Sequence, residues 1–120
     1  MAKILLAEDD DSMQNFLVLA LRRAGHDVYP RTDGLSALEA LKEEGPFDLL
    51  LTDIVMPGMD GVELAQKATD LHPNLKVMFI TGFAAIAMNN QDKQTRKTKI
   101  LSKPFHLNDL VTQVEQLLAA

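Results

Sequence analysis

The segment LLLTDIVMPGMDG, residues 49–61, decides the fold that the sequence predicts. It begins with an apolar run that lacks the alternation of polar and apolar side chains typical of a half-exposed strand. Such a run indicates a strand buried on both faces, as in a parallel sheet covered by helices. The run stops at Asp53, and a loop with Pro57 and two glycines follows. An acid at that place is either a solvated loop residue or the centre of a chemical site.

Short apolar runs alternate with segments of helical period along the rest of the chain. Pro30 indicates that the second strand lies at a sheet edge, and Gly25 and Gly45 end the first two helices. The alternation predicts an α/β fold with a doubly wound parallel sheet. The predicted strands cover residues 3–7, 27–31, 47–52, 76–81 and 99–102, and the predicted helices cover residues 12–25, 35–45, 61–72 and 107–120.

The predicted helices differ in how clearly their buried faces are marked. Residues 84–99 occupy the place of a further helix but lack an amphipathic pattern, which predicts a short or frayed helix there. In the first helix the apolar residues recur at i, i+3 and i+4 and predict the buried face. These residues are Met13, Phe16, Leu17, Ala20, Leu21 and Ala24.

Length and composition limit the class of protein. A chain of 120 residues fits one domain, residues 1–120, and 47% apolar and 24% charged residues are ordinary for a globular protein. The absence of cysteine excludes disulfides and cysteine-based zinc sites. A net charge of −5 argues against nucleic acid as the main partner. Without a signal peptide or an apolar run of about 20 residues, the expected location is cytoplasmic, with no membrane partner.

Polar residues follow four of the five predicted strands. In open α/β sheets, ligands bind beyond the carboxyl ends of the strands. Taken singly, each residue has an ordinary role, since acids before a helix cap its N-terminus and offset its dipole. Their convergence on one edge favours a shared site. The residues are Glu8, Asp9, Asp10 and Asp11 after the first strand, Asp53 after the third, Thr81 at the fourth and Lys103 after the fifth.

The charges at this edge indicate the chemistry. Glu8, Asp9 and Asp53 repel one another when close, so a cation or protons must offset them. Oxygen ligands with room for water suit Mg²⁺, which bridges readily to phosphate. A carboxylate beside Mg²⁺, the Thr81 hydroxyl and the Lys103 ammonium can accept a phosphoryl group, with Asp53 as the nucleophile.

Four segments in this order resemble the signature blocks of receiver domains of two-component response regulators. They are ILLAEDD (4–10), LLLTDIVMPGMDG (49–61), FITG (79–82) and LSKPF (101–105). The resemblance runs from Lys3 to the C-terminal helix. It implies a flavodoxin-like (CheY-like) fold with five parallel strands in the order 2-1-3-4-5 and five helices.

The resemblance also implies a role for each acid. Asp53 would be the phosphoacceptor, and Glu8 and Asp9 would be the metal-binding acids. Together with Asp53 and the backbone carbonyl of Val55, they would hold Mg²⁺.

Further roles implied by the resemblance fall on the neighbouring strand ends and on the loop. Thr81 would donate a hydrogen bond to the phosphoryl group, and Lys103 would pair with it, through a cis peptide bond to Pro104. Pro57 would restrict the loop with its fixed φ, and Gly61 would supply a permissive backbone.

The chain departs from the family pattern at Ile100, where receiver domains often carry Tyr or Phe, so the aromatic half of the usual switch is absent. Val55 and Phe83 are apolar at positions that flank the path of a hydrolytic water. Our hypothesis is that they slow self-dephosphorylation. For Phe83, plain surface packing is the alternative.

The family resemblance implies a histidine kinase or a histidine phosphotransfer protein as the phosphoryl donor. Because no DNA-binding or catalytic domain follows residue 120, we expect the chain to act by binding and not as an enzyme. The four segments together resemble stand-alone receivers that are phosphorylation-controlled adaptors of the ClpXP protease. This resemblance implies ClpX and proteolysis substrates as partners, with the unphosphorylated form active.

Other functions compete with this interpretation. The tail, residues 118–120, resembles tags that ClpX recognises, although it also completes an amphipathic helix. A phosphorelay shuttle, or a receiver that binds a kinase or motor, stays open as the alternative. A haloacid-dehalogenase-type phosphatase needs a second acid where Val55 stands. A Rossmann-type nucleotide binder needs a glycine-rich turn, and AEDDDS (7–12) would repel a pyrophosphate.

Overall fold

Five parallel strands and four helices make up the described part of the chain in this computed structural model, which covers residues 2–56, 58–81, 98–102 and 105–119. The elements in chain order are β1 (Lys3–Ala7), α1 (Asp11–Arg23), β2 (Asp27–Arg31), α2 (Gly34–Glu44), β3 (Leu49–Asp53), α3 (Gly61–Leu71), β4 (Lys76–Thr81), β5 (Thr98–Ser102) and α4 (Leu107–Ala119).

The strands pair in the order β2-β1-β3-β4-β5, and every pairing is parallel. This confirms the predicted flavodoxin-like sheet, with β2 and its Pro30 at an edge. None of the described helices is long and apolar enough to cross a membrane. The further helix predicted within residues 84–99 lies outside the described residues up to residue 97, and residues 98 and 99 begin β5.

β3 is the centre of the core, because all five of its residues are buried. Leu50 packs on one face of the sheet with residues of α2 and α3, while Leu49 and Leu51 pack on the other face with α1 and α4. A strand covered on both faces shows no polar alternation, which is why the apolar run predicted it correctly. The strand begins two residues later than predicted and includes Asp53.

The buried face of α1 differs from the prediction at one aromatic residue. Phe16 was expected in the core but is 51% exposed, whereas Val18 is buried. The face toward the sheet is centred on Leu17 and Leu21, both fully buried. Each helical step rotates the side chain by about 100°, so Phe16 turns toward solvent. Ala24 follows the last turn and is also exposed.

Three aspartates connect the carboxyl edge of the sheet to the helices that follow. Asp10, Asp33 and Asp60 are the N-cap residues of α1, α2 and α3. Each side chain accepts a hydrogen bond from the backbone N–H three residues on, at 3.0, 2.8 and 2.8 Å. The capping role considered for Asp10 is therefore confirmed, and each of these helices starts at a defined residue next to the sheet edge.

The N-cap of α2 leads to a prediction about how the free energy of unfolding changes at low pH. Hydrogen bonds from Ser36, chiefly from its backbone N–H, lower the pKa of Asp33 below its usual value. The contribution of this cap is therefore complete above the unfolded-state pKa of about 4 and is lost as pH falls through the lower folded-state pKa. We expect Asp33→Ala to lower the free energy of unfolding by about 1 kcal/mol at neutral pH and by less in acid.

Urea unfolding of both chains between neutral pH and pH 3 measures this difference. Asp33→Asn is the matched control, because asparagine caps a helix without titrating. The free energy of unfolding of Asp33→Asn should stay close to that of the native chain at neutral pH. A difference between native and Asp33→Ala that does not change with pH would contradict the prediction.

Candidate functional site

Three carboxylates meet at the carboxyl edge of the sheet. Glu8 and Asp9 follow β1 directly, Asp53 ends β3, and the two strands are neighbours in the sheet. One carboxylate oxygen from each acid lies within 4.8 Å of the others. The structure thus brings together the three acids that the sequence places at adjacent strand ends.

The cluster is buried on one side and open on the other. Glu8 is 1% exposed and Asp53 is 9% exposed, while Asp9 is exposed to solvent. The Glu8 carboxylate accepts a hydrogen bond from the backbone N–H of Asp10 at 3.1 Å. Because like charges so close repel one another, the cluster favours a bound cation.

The donor set fits a magnesium ion. All three side chains offer hard oxygen ligands, and the open side at Asp9 leaves room for the waters and phosphate oxygens that Mg²⁺ retains. The acids that would hold the ion are Glu8, Asp9 and Asp53.

The loop after β3 turns its side chains alternately inward and outward. Ile54, Met56 and Met59 are buried, whereas Val55 between them is 51% exposed. The backbone N–H of Ile54 donates to Ile80 of β4 at 3.2 Å. The apolar side chains therefore anchor the loop and leave Val55 at the surface beside Asp53. Pro57 lies outside the described residues.

Gly61 holds the loop close to the phosphoacceptor candidate for a reason that the sequence did not show. A Cβ atom at Gly61 would lie 2.0 Å from the backbone oxygen of Asp53, so no side chain fits there. Its N–H donates to Ile54 O at 2.7 Å. The expected conformational freedom belongs instead to Gly58, whose φ is +76°. Gly61 is needed for space.

Two further residues around the loop were missed by sequence reasoning. Thr52 is fully buried, and its hydroxyl donates to the backbone oxygen of Asp53 at 2.9 Å. A Cβ atom on Gly34 would lie 2.7 Å from Met59 O, so the start of α2 packs closely on the loop. The sequence does mark Thr52, because it is a single polar residue at the end of an apolar run. No pattern in the nearby sequence indicates a role for Gly34, because Met59, the residue that it packs against, is 25 residues away.

A model of the response regulator receiver domain family matches residues 4–115. The chain belongs to the receiver domain family of response regulators. Acceptance of a phosphoryl group and binding of Mg²⁺ at an acidic site are typical of this family, and a receiver domain implies a kinase or phosphotransfer partner.

Similar proteins agree with this assignment. The response regulator receiver protein CpdR of Brucella abortus (strain 2308) is 59% identical over 120 residues, which cover 100% of this chain and 99% of the relative. A receiver protein from Sinorhizobium medicae WSM419 has a TM-score of 0.89 and 33% identity, covering 99% of this chain and 95% of its own. The receiver domain of the hybrid histidine kinase CckA has a TM-score of 0.82 and 34% identity, covering 97% and 98%.

The remaining candidate residues of the receiver domain lie at the ends of β4 and β5. Asp53 pairs in register with Ile80, so the backbone of Thr81 lies one residue beyond it. The side chain of Thr81 lies outside the described part of the structure, as do Lys103, Pro104 and Phe83, and their roles stay predictions. Ile100, which replaces the family's aromatic residue, is half-buried beside Phe79 and packs on the core.

The close approach at Gly61 makes a prediction for the receiver domain. Gly61→Ala should lower the free energy of unfolding by about 2–4 kcal/mol, because the added methyl group must displace the Asp53 backbone. Gly58→Ala is the matched control in the same loop. It meets open space and incurs only the strain of a positive φ, about 1 kcal/mol. Urea unfolding compares the two variants, and equal losses would show that the Gly61 contact does not constrain the loop.

Proposed function

We propose that Asp53 is the phosphoacceptor of this receiver domain. The observation that carries the proposal is the cluster of Glu8, Asp9 and Asp53 within 4.8 Å at the carboxyl edge of the sheet. Membership of the receiver family supports it, since phosphoryl acceptance is typical there. The donor is a histidine kinase or a histidine phosphotransfer protein.

Glu8, Asp9 and Asp53 would bind Mg²⁺ through their carboxylate oxygens, with the backbone carbonyl of Val55 as a further ligand. When bound, Mg²⁺ neutralises charge on the carboxylates and on the transferring phosphoryl oxygens. The buried side of the cluster keeps Glu8 and Asp53 in place, and the exposed Asp9 marks the side on which a donor can approach.

An oxygen of the Asp53 carboxylate attacks the phosphorus atom of the donor phosphohistidine. The P–N bond breaks as the O–P bond forms, and its electron pair stays on the leaving imidazole nitrogen. In the proposed site the Thr81 hydroxyl donates a hydrogen bond to a phosphoryl oxygen, and the Lys103 ammonium pairs with another. The product is an acyl phosphate on Asp53.

Phosphorylation of the purified chain tests the phosphoacceptor. With acetyl phosphate and Mg²⁺, we expect the native chain to gain one phosphoryl group by intact mass spectrometry, and Asp53→Ala to gain none. Chelation of Mg²⁺ by EDTA should reduce the rate by at least about 100-fold, because charge stabilisation of the transferring group is then lost.

Asp60→Asn is the matched control for this experiment. Asp60 is an exposed acid in the same loop, outside the cluster, and asparagine can still cap α3. Its phosphorylation rate should equal that of the native chain. Incorporation that persists in Asp53→Ala would rule out Asp53 as the acceptor.

The output of the receiver, in this proposal, is CpdR-like adaptor activity toward the ClpXP protease. Its support is the 59% identity to CpdR of Brucella abortus over nearly the full length of both chains, together with the resemblance to stand-alone receivers that act as ClpXP adaptors. The chain would act by binding ClpX and proteolysis substrates and not by catalysis. The unphosphorylated form binds, and phosphorylation of Asp53 releases the partner.

Binding to purified ClpX tests the adaptor function. We expect the unphosphorylated native chain and Asp53→Ala to bind ClpX with similar affinity in calorimetry or surface plasmon resonance. Acetyl phosphate with Mg²⁺ should weaken binding of the native chain by about tenfold or more, equivalent to at least about 1.4 kcal/mol, and leave Asp53→Ala unaffected. Failure of both unphosphorylated chains to bind ClpX, with phosphotransfer to or from a histidine phosphotransfer protein intact, would instead support a phosphorelay shuttle.

A further inference from the structure

Gln14, in the first turns of α1, donates hydrogen bonds to two backbone carbonyls next to the acidic cluster. Its side-chain amide donates to the backbone oxygen of Glu8 at 3.1 Å and to the backbone oxygen of Arg31 at 2.9 Å. A glutamine amide has two N–H donors, and both contacts use that one nitrogen. Gln14 is half-buried, and the two backbone oxygens belong to residues 6 and 17 positions away in the sequence.

The Arg31 carbonyl connects this contact to the sheet. It also accepts a hydrogen bond from the backbone N–H of Glu8 at 3.0 Å. The pairing of β1 with β2 ends at Ala7 and Arg31, so the hydrogen bond from the Glu8 N–H to the Arg31 carbonyl extends it by one residue. The N–H of Glu8 is therefore held by the edge strand, and its C=O is held by the first helix.

The Glu8 carbonyl belongs to the peptide group that joins Glu8 to Asp9. Because a peptide group is planar, the direction of this carbonyl sets the direction in which the chain continues to the Asp9 Cα atom. Both residues carry acids of the cluster, and they lie in the segment between β1 and α1, beyond the last paired residue of β1. Gln14 is placed to orient the peptide group that joins them.

We propose that Gln14 is a positioning residue that sets the geometry of the Glu8–Asp9 pair for Mg²⁺. The inference rests on the proposed function, because it concerns the same metal site. Groups that orient metal ligands from outside the coordination sphere contribute to affinity although they never touch the ion. Gln14 does so through the backbone, against the mutual repulsion of the acids.

Mg²⁺ titration of the apo chain by isothermal calorimetry tests the proposal. Gln14→Met keeps the length of the side chain and removes both donors. We expect it to raise the Mg²⁺ dissociation constant by about tenfold, while Asn15→Met, at the exposed neighbouring position, stays within about twofold of native. Phosphorylation by acetyl phosphate should approach the native rate once Mg²⁺ saturates the site.

Gln14→Glu separates positioning from electrostatics and does not depend on how well the methionine variant folds. A carboxylate near the cluster would by itself strengthen Mg²⁺ binding, and Asn15→Asp measures that effect. We expect Gln14→Glu to bind Mg²⁺ more weakly than Asn15→Asp, because it has no donor for the two carbonyls. Circular dichroism melts show which variants are folded.

The outcomes distinguish this inference from the proposed function. If the native chain binds Mg²⁺ and folded Gln14 variants match their Asn15 controls, Gln14 only stabilises the fold and the inference is wrong. A native chain that binds no Mg²⁺ would overturn the metal site and this inference with it. Weaker Mg²⁺ binding in both Gln14 variants, relative to their controls, supports the inference.

Discussion

Like-charge repulsion among Glu8, Asp9 and Asp53 is the constraint that the surrounding structure has to withstand. Two unit charges about 4 Å apart repel by roughly 4 kcal/mol at an effective dielectric constant near 20. A whole domain is stable by only about 5–15 kcal/mol. The acids are therefore held by the most deeply packed part of the molecule, the neighbouring central strands β1 and β3. The burial of β3 on both faces contributes packing free energy that offsets this repulsion.

Backbone contacts hold the described part of the carboxyl edge. The Asp53 carbonyl accepts from the Thr52 hydroxyl, and it lies so close to Gly61 that no Cβ atom fits between them. The Glu8 peptide is tied to β2 and to Gln14 of α1. Hydrogen bonds of this kind fix the backbone positions of the acidic residues without neutralising their side chains.

The fold was largely predictable from the sequence because the strand that organises it carries its own signal. A run such as LLLT in residues 49–52 has no polar face, so it belongs in the middle of a covered sheet. The clustering of the acids was predictable from the topology, since the carboxyl ends of parallel strands lie at one edge of the sheet. Phe16 was misplaced because periodicity leaves the centre of a helix face uncertain by one residue, which is about 100° of rotation.

The contacts that refine the site were not predictable, since their partners are brought together only by folding. The Gln14 amide binds carbonyls 6 and 17 residues away, and Gly34 meets the loop at Met59. Spacing gives no sign of a side chain that bonds to a distant backbone. Gly61 shows a related difficulty, because a glycine needed for space and one needed for a positive φ are identical in a sequence.

The geometry of the edge limits how a phosphoryl group on Asp53 can signal. In the proposed function, phosphorylation would replace the single negative charge of the Asp53 carboxylate by an acyl phosphate of about −2, at a strand end where Asp53 is 9% exposed. Asp9 and the side chain of Val55 are exposed at the same edge, so this is the side on which the proposed phosphoryl group would meet solvent. A change of charge at this surface of the carboxyl edge suits the proposed signalling by gain or loss of a binding partner.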